Sequence, residues 1–157
     1  MGHSVQEYMN KYGWEQGQDF DALVAEEVMG WTVNRNDGGR WETIGPDDPR
    51  RFIGPTVCED GWIPSVRHED AWDVLDRLTS YFGDHGFGVT VTFEKNEWVV
   101  IEAIAGDWNC PHDKPYDPED GHGATWAEAY GTNFGFVLCV VAVLLVRKLR
   151  GELPKNA

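Results

Sequence analysis

An apolar run near the C-terminus constrains the fold more than any other feature of this 157-residue chain. The run extends from Phe134 to Val146, and Arg147 and Lys148 follow it directly. A transmembrane helix needs about 20 consecutive apolar residues, and this run is shorter. The sequence therefore predicts no membrane span but a buried helix from about Thr125 to Leu149, covered by a sheet on one side and by another helix or subunit on the other.

The amount of apolar surface on this helix predicts a homo-oligomer. One small sheet and two amphipathic helices offer too little surface to cover a helix that is apolar on nearly every side. The remainder would form an exposed apolar patch, and such patches mark interaction sites. We therefore expect a dimer, since two-fold dimers are the commonest closed assemblies.

The charge of the chain excludes one large class of partner. Asp and Glu number 27 against 13 Lys and Arg, which gives a formal net charge of -14. A field of this sign repels polyanions, so non-specific binding of nucleic acid is disfavoured.

The three cysteines are an odd number and widely spaced, and the first eleven residues lack the apolar core of a secretory signal. We expect a cytoplasmic protein that contacts neither nucleic acid nor membrane.

Four shorter elements precede the C-terminal helix. Apolar residues recur at helical spacing in two segments and alternate with polar ones in strand segments. The predicted elements are a helix at Asp19–Met29, a hairpin with strands Trp31–Val33 and Trp41–Ile44, a helix between Ser65 and Gly83, and a hairpin with strands 87–94 and Trp98–Ile104. Two segments rich in Pro, Gly and charged residues, 45–64 and 106–123, are expected to be surface loops, the second one acidic.

Together these elements predict an α+β fold. A small antiparallel sheet is sandwiched between helices, in the order helix, hairpin, helix, hairpin, long C-terminal helix. The single domain is expected to span residues 19–150, with an N-terminal extension at 1–18 and a C-terminal tail at 151–157.

Several short segments carry a family resemblance. They are Val28-Met29-Gly30-Trp31 at the end of the first helix, Ile63-Pro64-Ser65 and Ala71-Trp72 at the start of the second, Trp98-Val99-Val100 in the last strand, and Leu138-Cys139 in the final helix. In this order they resemble the phage ABA-sandwich domain family, over most of the chain from Asp19 to Leu149. The resemblance implies a small helix-sheet-helix sandwich encoded by a bacteriophage and present in the host cytoplasm. The family brings no established activity and no catalytic residues.

Side chains that bind metals or act as nucleophiles are present without the spacings that such sites need. Cys58, Cys110, His112 and His122 are of zinc-ligand type, yet only Cys110 and His112 are close together in the sequence. The chain has no Gly-x-Ser-x-Gly elbow, no phosphate-binding glycine loop and no His-Glu-x-x-His motif. The sequence therefore favours a non-enzymatic protein without cofactor or metal, and the acidic loop 106–123 shows no calcium-ligand pattern.

The arginines are concentrated in one part of the chain. Between Trp31 and Arg67 lie five of the eight arginines, interleaved with aromatic residues and balanced by six acidic ones. Arginine binds phosphate or carboxylate through a planar fork, and tryptophan offers a face for a base. The candidate ligand-binding residues are Arg35, Arg40, Trp41, Arg50, Arg51, Trp62 and Arg67. The alternative is that these arginines stack on tryptophan rings and form ion pairs that hold the loops in place.

Two functions are consistent with these features. The first is a non-enzymatic phage accessory protein that binds a small anionic ligand, for example by sequestering a nucleotide signal of host antiviral defence. The second is an acidic inhibitor that occupies a basic, nucleic-acid-binding surface of a host protein.

Overall fold

The described part of the chain forms four helices and seven strands, and the strands belong to two separate sheets. The structure, a computed structural model, describes residues 3–35, 39–44, 52–54, 61–82, 87–95, 98–105 and 125–153. The elements are β1 (His3–Ser4), α1 (Val5–Tyr12), α2 (Gln18–Glu27), β2 (Val33–Arg35), β3 (Trp41–Thr43), β4 (Phe52–Ile53), α3 (His68–Phe82), β5 (Gly88–Phe93), β6 (Val99–Ala105), β7 (Thr125–Gly131) and α4 (Phe134–Leu149). The mixed α+β class predicted from the sequence is confirmed.

Helix α4 forms the centre of the core. It begins where the side chain of Asn133 accepts a hydrogen bond from the backbone N–H of Phe136 at 2.9 Å. Strands β6 and β7 pack on one side of it, and α2 and α3 pack on the other. Every residue from Gly135 to Val146 is buried, so the predicted buried helix is confirmed. Within the described ranges, no helix is long and apolar enough to cross a membrane.

The burial of α4 changes the argument for an oligomer. Its side chains are covered within a single chain, with Val137, Val141 and Leu145 each at 0 % exposure. The excess apolar surface from which we predicted a second subunit is therefore absent from this helix. A homo-oligomer stays a prediction, and it needs a different physical reason.

The larger sheet has the strand order β1-β7-β6-β5. Strands β5, β6 and β7 are antiparallel, and the short β1 pairs with β7 in parallel. Buried and partly exposed residues alternate along β6 and β7. The inward residues include Ala103, Ala127 and Ala129, whose small side chains let α4 lie close to the sheet.

The predicted start of the last helix at Thr125 is wrong, because residues Thr125–Gly131 form β7. Ala127, Glu128 and Ala129 have strong helix propensity, and this local preference favoured a helix. Pairing with β6 along the whole strand overrides that preference, since it buries every second residue against α4. The helix begins only after Asn133.

Residues predicted as an N-terminal extension form β1 and α1 and pack against the rest of the fold. Tyr8 is buried, and its hydroxyl donates a hydrogen bond to the backbone oxygen of Glu128 at 3.1 Å. A chain of aromatic contacts then runs from Tyr8 through Tyr12, Trp14 and Phe20 to Phe136 on α4. The N-terminal segment is thereby joined to the core helix.

The smaller sheet contains β2, β3 and β4 and contacts α2. Strands β2 and β3 form the first predicted hairpin, shifted in β2 by two residues, while β4 lies in a segment that we expected to be loop. Ile53 in β4 also forms a bridge to Trp62. Residues 45–51, 55–60 and the acidic segment 106–124 lie outside the described residues.

Candidate functional site

Three of the predicted ligand-binding residues lie together on the β2–β3 hairpin. Arg35 and Trp41 are directly paired, and the Arg35 guanidinium carbon is 5.9 Å from the centroid of the Trp41 ring. The Trp41 indole N–H donates a hydrogen bond to Asp19 at 2.7 Å. The guanidinium carbon of Arg40 lies 3.6 Å from the centroid of Phe52. Each side chain of this group is therefore held by a contact within the chain.

Two more predicted residues lie near the start of α3. Trp62 has 0 % exposure, and its indole N–H donates to Asp73 at 3.1 Å. Arg67 lies 3.7 Å from the carboxylate of the buried Asp70 and donates to the backbone oxygen of Gly61. These are contacts of the kind expected if the residues hold loops in place. Arg50 and Arg51 lie outside the described residues, and so do Cys58, Cys110, His112 and His122.

A different surface combines charge and aromatic rings on the larger sheet. Residues directly opposite each other in antiparallel strands point to the same side of a sheet. The side opposite α4, here named the outer face, carries Thr90, Thr92, Trp98, Val100, Glu102, Ile104, Trp126, Glu128 and Tyr130. All of these side chains are partly or fully exposed.

Two glutamates face each other at the centre of the outer face. Glu102 on β6 pairs directly with Glu128 on β7. Burial, a hydrogen bond with Glu128 and the negative charge of Glu128 together raise the pKa of Glu102 above its usual value. Like charges directly opposite each other in a sheet are destabilising. The fold therefore holds a carboxylate pair at a position where it opposes strand pairing.

Aromatic rings flank this carboxylate pair. The rings of Trp98 and Tyr130 are 5.4 Å apart between centroids, and Trp98 is 38 % exposed. Trp126 lies next to Glu128 on the same side of β7, and the Lys148 ammonium is 5.4 Å from its ring centroid. Aromatic faces attract cations, and carboxylates form charge-assisted hydrogen bonds with guanidinium and ammonium groups. The outer face therefore has the composition that binds basic side chains.

The sequence interpretation missed this surface because it assigned residues 125–131 to a helix. The signal was present as a period of two, in which Thr125, Ala127 and Ala129 alternate with the larger residues Trp126, Glu128 and Tyr130. Alternation of small and large side chains is typical of a strand with one covered and one open side. What the sequence could not supply is the register that places Glu128 opposite Glu102.

The described residues offer little that resembles a catalytic or metal centre. No group of three His, Cys, Asp or Glu side chains among them is placed to hold a metal ion. The thiol of Cys139 is buried in α4, and burial together with the charge of Asp21 raises its pKa. A thiol in that state is a poor nucleophile.

Comparisons with protein-family models, with curated proteins and with solved structures found no match to this chain. The resemblance to the phage ABA-sandwich family therefore stays a prediction.

Proposed function

We propose that the protein is a non-enzymatic binding protein whose outer face docks on a basic surface of another protein. The observation that carries this proposal is the pair Glu102 and Glu128, held opposite each other between aromatic side chains on an exposed sheet. A basic side chain placed between the two carboxylates relieves their repulsion and stacks on the neighbouring rings. Binding thereby removes the repulsion between Glu102 and Glu128 that is present in the free protein.

The net charge of -14 supports a competitive role. A strongly acidic protein is steered towards positively charged surfaces, and such surfaces commonly bind nucleic acid. Nucleic acid and this chain therefore compete for the same basic patch. The partner that fits this hypothesis is a host defence protein that must bind nucleic acid. An inhibitor of such a protein would be encoded by a phage.

The carboxylate pair should reduce stability as well as create a binding surface. The pKa of Glu102 is higher in the folded chain than its usual value. The contribution of Glu102 to stability is therefore present at acidic pH and is lost as the pH rises through the raised pKa. We therefore expect Glu102→Gln to raise the free energy of unfolding at neutral pH by about 0.2–1 kcal/mol, measured by urea denaturation. A loss of stability in this variant would mean that the pair is a structural hydrogen bond.

The proposal is tested by measuring affinity for a short arginine-rich peptide, by calorimetry at two salt concentrations. The double variant Glu102→Gln/Glu128→Gln is expected to bind at least about tenfold more weakly than the wild type, because two charge-assisted contacts are lost. A matched control, Glu26→Gln/Glu69→Gln, removes the same charge at exposed positions away from the outer face. The control should bind nearly as well as the wild type.

Two outcomes would count against this function. Equal weakening in both double variants would mean that only the net charge matters and that the outer face has no special role. The second outcome concerns a complex of the peptide with a labelled oligonucleotide. If the protein binds the free peptide tightly but does not release the oligonucleotide from this complex, the competitive mechanism is wrong.

Binding of a small anionic or nucleotide ligand is the second candidate function. One observation favours it, namely that Arg35 and Arg40 lie on one hairpin with their guanidinium groups beside aromatic rings. Arg35 is exposed and can be replaced without disturbing the core. If this function holds, nucleotide titrations should show an affinity about tenfold lower for Arg35→Ala than for the wild type.

A further inference from the structure

The two edges of the larger sheet are protected very differently. On the open side of β7, the backbone oxygen of Trp126 accepts a hydrogen bond from the Lys148 ammonium at 2.9 Å. The backbone oxygen of Glu128 accepts one from the Tyr8 hydroxyl at 3.1 Å. Strand β1 then pairs with the last part of β7. The fold therefore closes this edge with side chains and a short strand.

Strand β5 forms the other edge of the sheet as far as the structure describes it, and no described residue protects β5 in this way. Just after the strand, the backbone N–H of Glu94 donates a hydrogen bond to the backbone oxygen of Trp98. Hydrogen-bonded pairs alternate along an antiparallel ladder, so the backbone groups of Thr92, Thr90 and Gly88 also bond to β6. The backbone groups of Val89, Val91 and Phe93 consequently point away from the sheet. Among the hydrogen bonds of the described residues, none reaches these groups.

The sequence of β5 also lacks the usual devices that prevent edge pairing. Natural edge strands carry charges, prolines or bulges, or are very short. Residues 88–93 are Gly-Val-Thr-Val-Thr-Phe, and all six pair with β6 in an unbroken register. Phe93, at the end of the strand, is 73 % exposed. This edge is a template for another strand.

We propose that β5 pairs antiparallel with β5 of a second copy of this chain, around a two-fold axis at Val91. In this register Val91 lies opposite its own counterpart, and Val89 lies opposite Phe93 of the partner subunit. All the outward backbone groups of the three residues then form hydrogen bonds. The exposed Phe93 ring gains an apolar neighbour, and Thr90 meets Thr92 of the partner subunit on the outer face.

Charge favours a second copy over other occupants. The chain has a net charge of -14, yet no charged residue lies between Gly88 and Phe93. Two copies can therefore meet at this strip without placing like charges opposite each other, whereas a basic partner would find no carboxylate there. The strip is also complementary to itself under two-fold rotation, as an isologous interface requires. This inference is independent of the proposed function, although it would place the two outer faces side by side on one continuous sheet.

The test is light scattering of the full chain across micromolar concentrations, with two variants of the edge. Wild type is expected to be a dimer. Val91→Pro removes the outward N–H without removing a bond to β6, and Phe93→Lys puts a charge opposite an apolar residue. Each variant should weaken dimerisation by at least about tenfold. Val66→Lys is the matched control, since Val66 is 52 % exposed and lies outside β5, and it should stay dimeric.

A wild-type chain that stays monomeric over this range would overturn the proposal, whether or not a strand from another protein binds the edge. A dimer that persists in both edge variants would place the interface elsewhere. Circular dichroism shows whether Val91→Pro has kept its fold. If it has not, Phe93→Lys decides the matter, because the exposed Phe93 side chain can be replaced without loss of core packing.

Discussion

Replacing Trp62 with alanine is expected to lower the free energy of unfolding by about 3–5 kcal/mol. The side chain has 0 % exposure, its ring lies 4.7 Å from that of Trp31 between centroids, and its N–H is bonded to Asp73. Alanine would leave a cavity and remove the hydrogen bond to Asp73. Urea denaturation followed by circular dichroism measures the change, with the slope of the transition as a check on two-state behaviour.

Trp72→Ala is the control for this measurement. Trp72 is 53 % exposed and contacts Phe134 at its margin, so its loss should cost clearly less, about 1 kcal/mol. The position of Trp62 in the arginine-rich part of the sequence predicts that it stacks on a ligand. A Trp62→Ala variant with wild-type stability and weakened ligand binding would support that role and contradict the core position described here.

Replacing Asp21 with asparagine is expected to stabilise the chain strongly at neutral and alkaline pH. Asp21 has 0 % exposure, and one of its oxygens accepts a hydrogen bond from the backbone N–H of Ser65 at 3.1 Å. Burial raises the pKa of Asp21 from 3.8 to about 7, and the charge of Asp70 adds to this, while hydrogen bonding from Ser65 only partly offsets it. Asparagine keeps the acceptor oxygen and carries no charge.

The sign of the pH dependence follows from the raised pKa. The contribution of Asp21 to stability is fully present below pH 3.8 and is lost as the pH rises to about 7. The loss amounts to on the order of 4 kcal/mol for a difference of this size. Asp21→Asn does not titrate, so its advantage over the wild type should grow through this range and then stay constant.

Denaturation of both proteins at several pH values between about 4 and 8 measures this difference. Asp76→Asn, at an exposed position of α3, is the control and should follow the wild-type pH dependence. Parallel curves for wild type and Asp21→Asn would mean that the Asp21 carboxyl has the same pKa in the folded and the unfolded chain. Such a result would remove the linkage between Asp21 and stability.

Elements with a strong and simple pattern could be predicted from the sequence. The run from Phe134 to Val146 indicated a buried helix because it is apolar on every side. The alternation over residues 87–94 indicated a strand, which the structure has at Gly88–Phe93. Both patterns indicate burial directly, because an element that is apolar on all sides is buried on all sides and a strand that is apolar on one side is buried on that side. Their agreement with the structure therefore rests on the hydrophobic effect alone.

Elements whose local preference conflicts with their tertiary position could not be predicted. Residues 125–131 contain good helix formers, and only pairing with β6 makes them a strand. The N-terminal segment has too few apolar residues to indicate a core role, yet Tyr8 is buried beneath β7. In both cases the deciding contacts join residues at least twenty positions apart.

The side chains of the candidate site are likewise placed by long-range contacts. Composition located arginines and tryptophans in one part of the chain, but it could not show that Trp62 is in the core or that Arg67 faces the buried Asp70. Composition also gave no sign of the pair formed by Glu102 and Glu128, because a chain with 27 acidic residues contains many such pairs by chance.

The most direct test of the outer face as the binding surface is a map of backbone amide chemical shifts by NMR. Two titrations are needed, one with an arginine-rich peptide and one with a nucleotide, each added to the full wild-type chain. If the outer face binds basic partners, the peptide should shift the amides of β6 and β7 around Glu102 and Glu128, while the nucleotide leaves them unchanged. Peptide-induced shifts spread evenly over all acidic surfaces, or nucleotide-induced shifts of the same β6 and β7 amides, would contradict it.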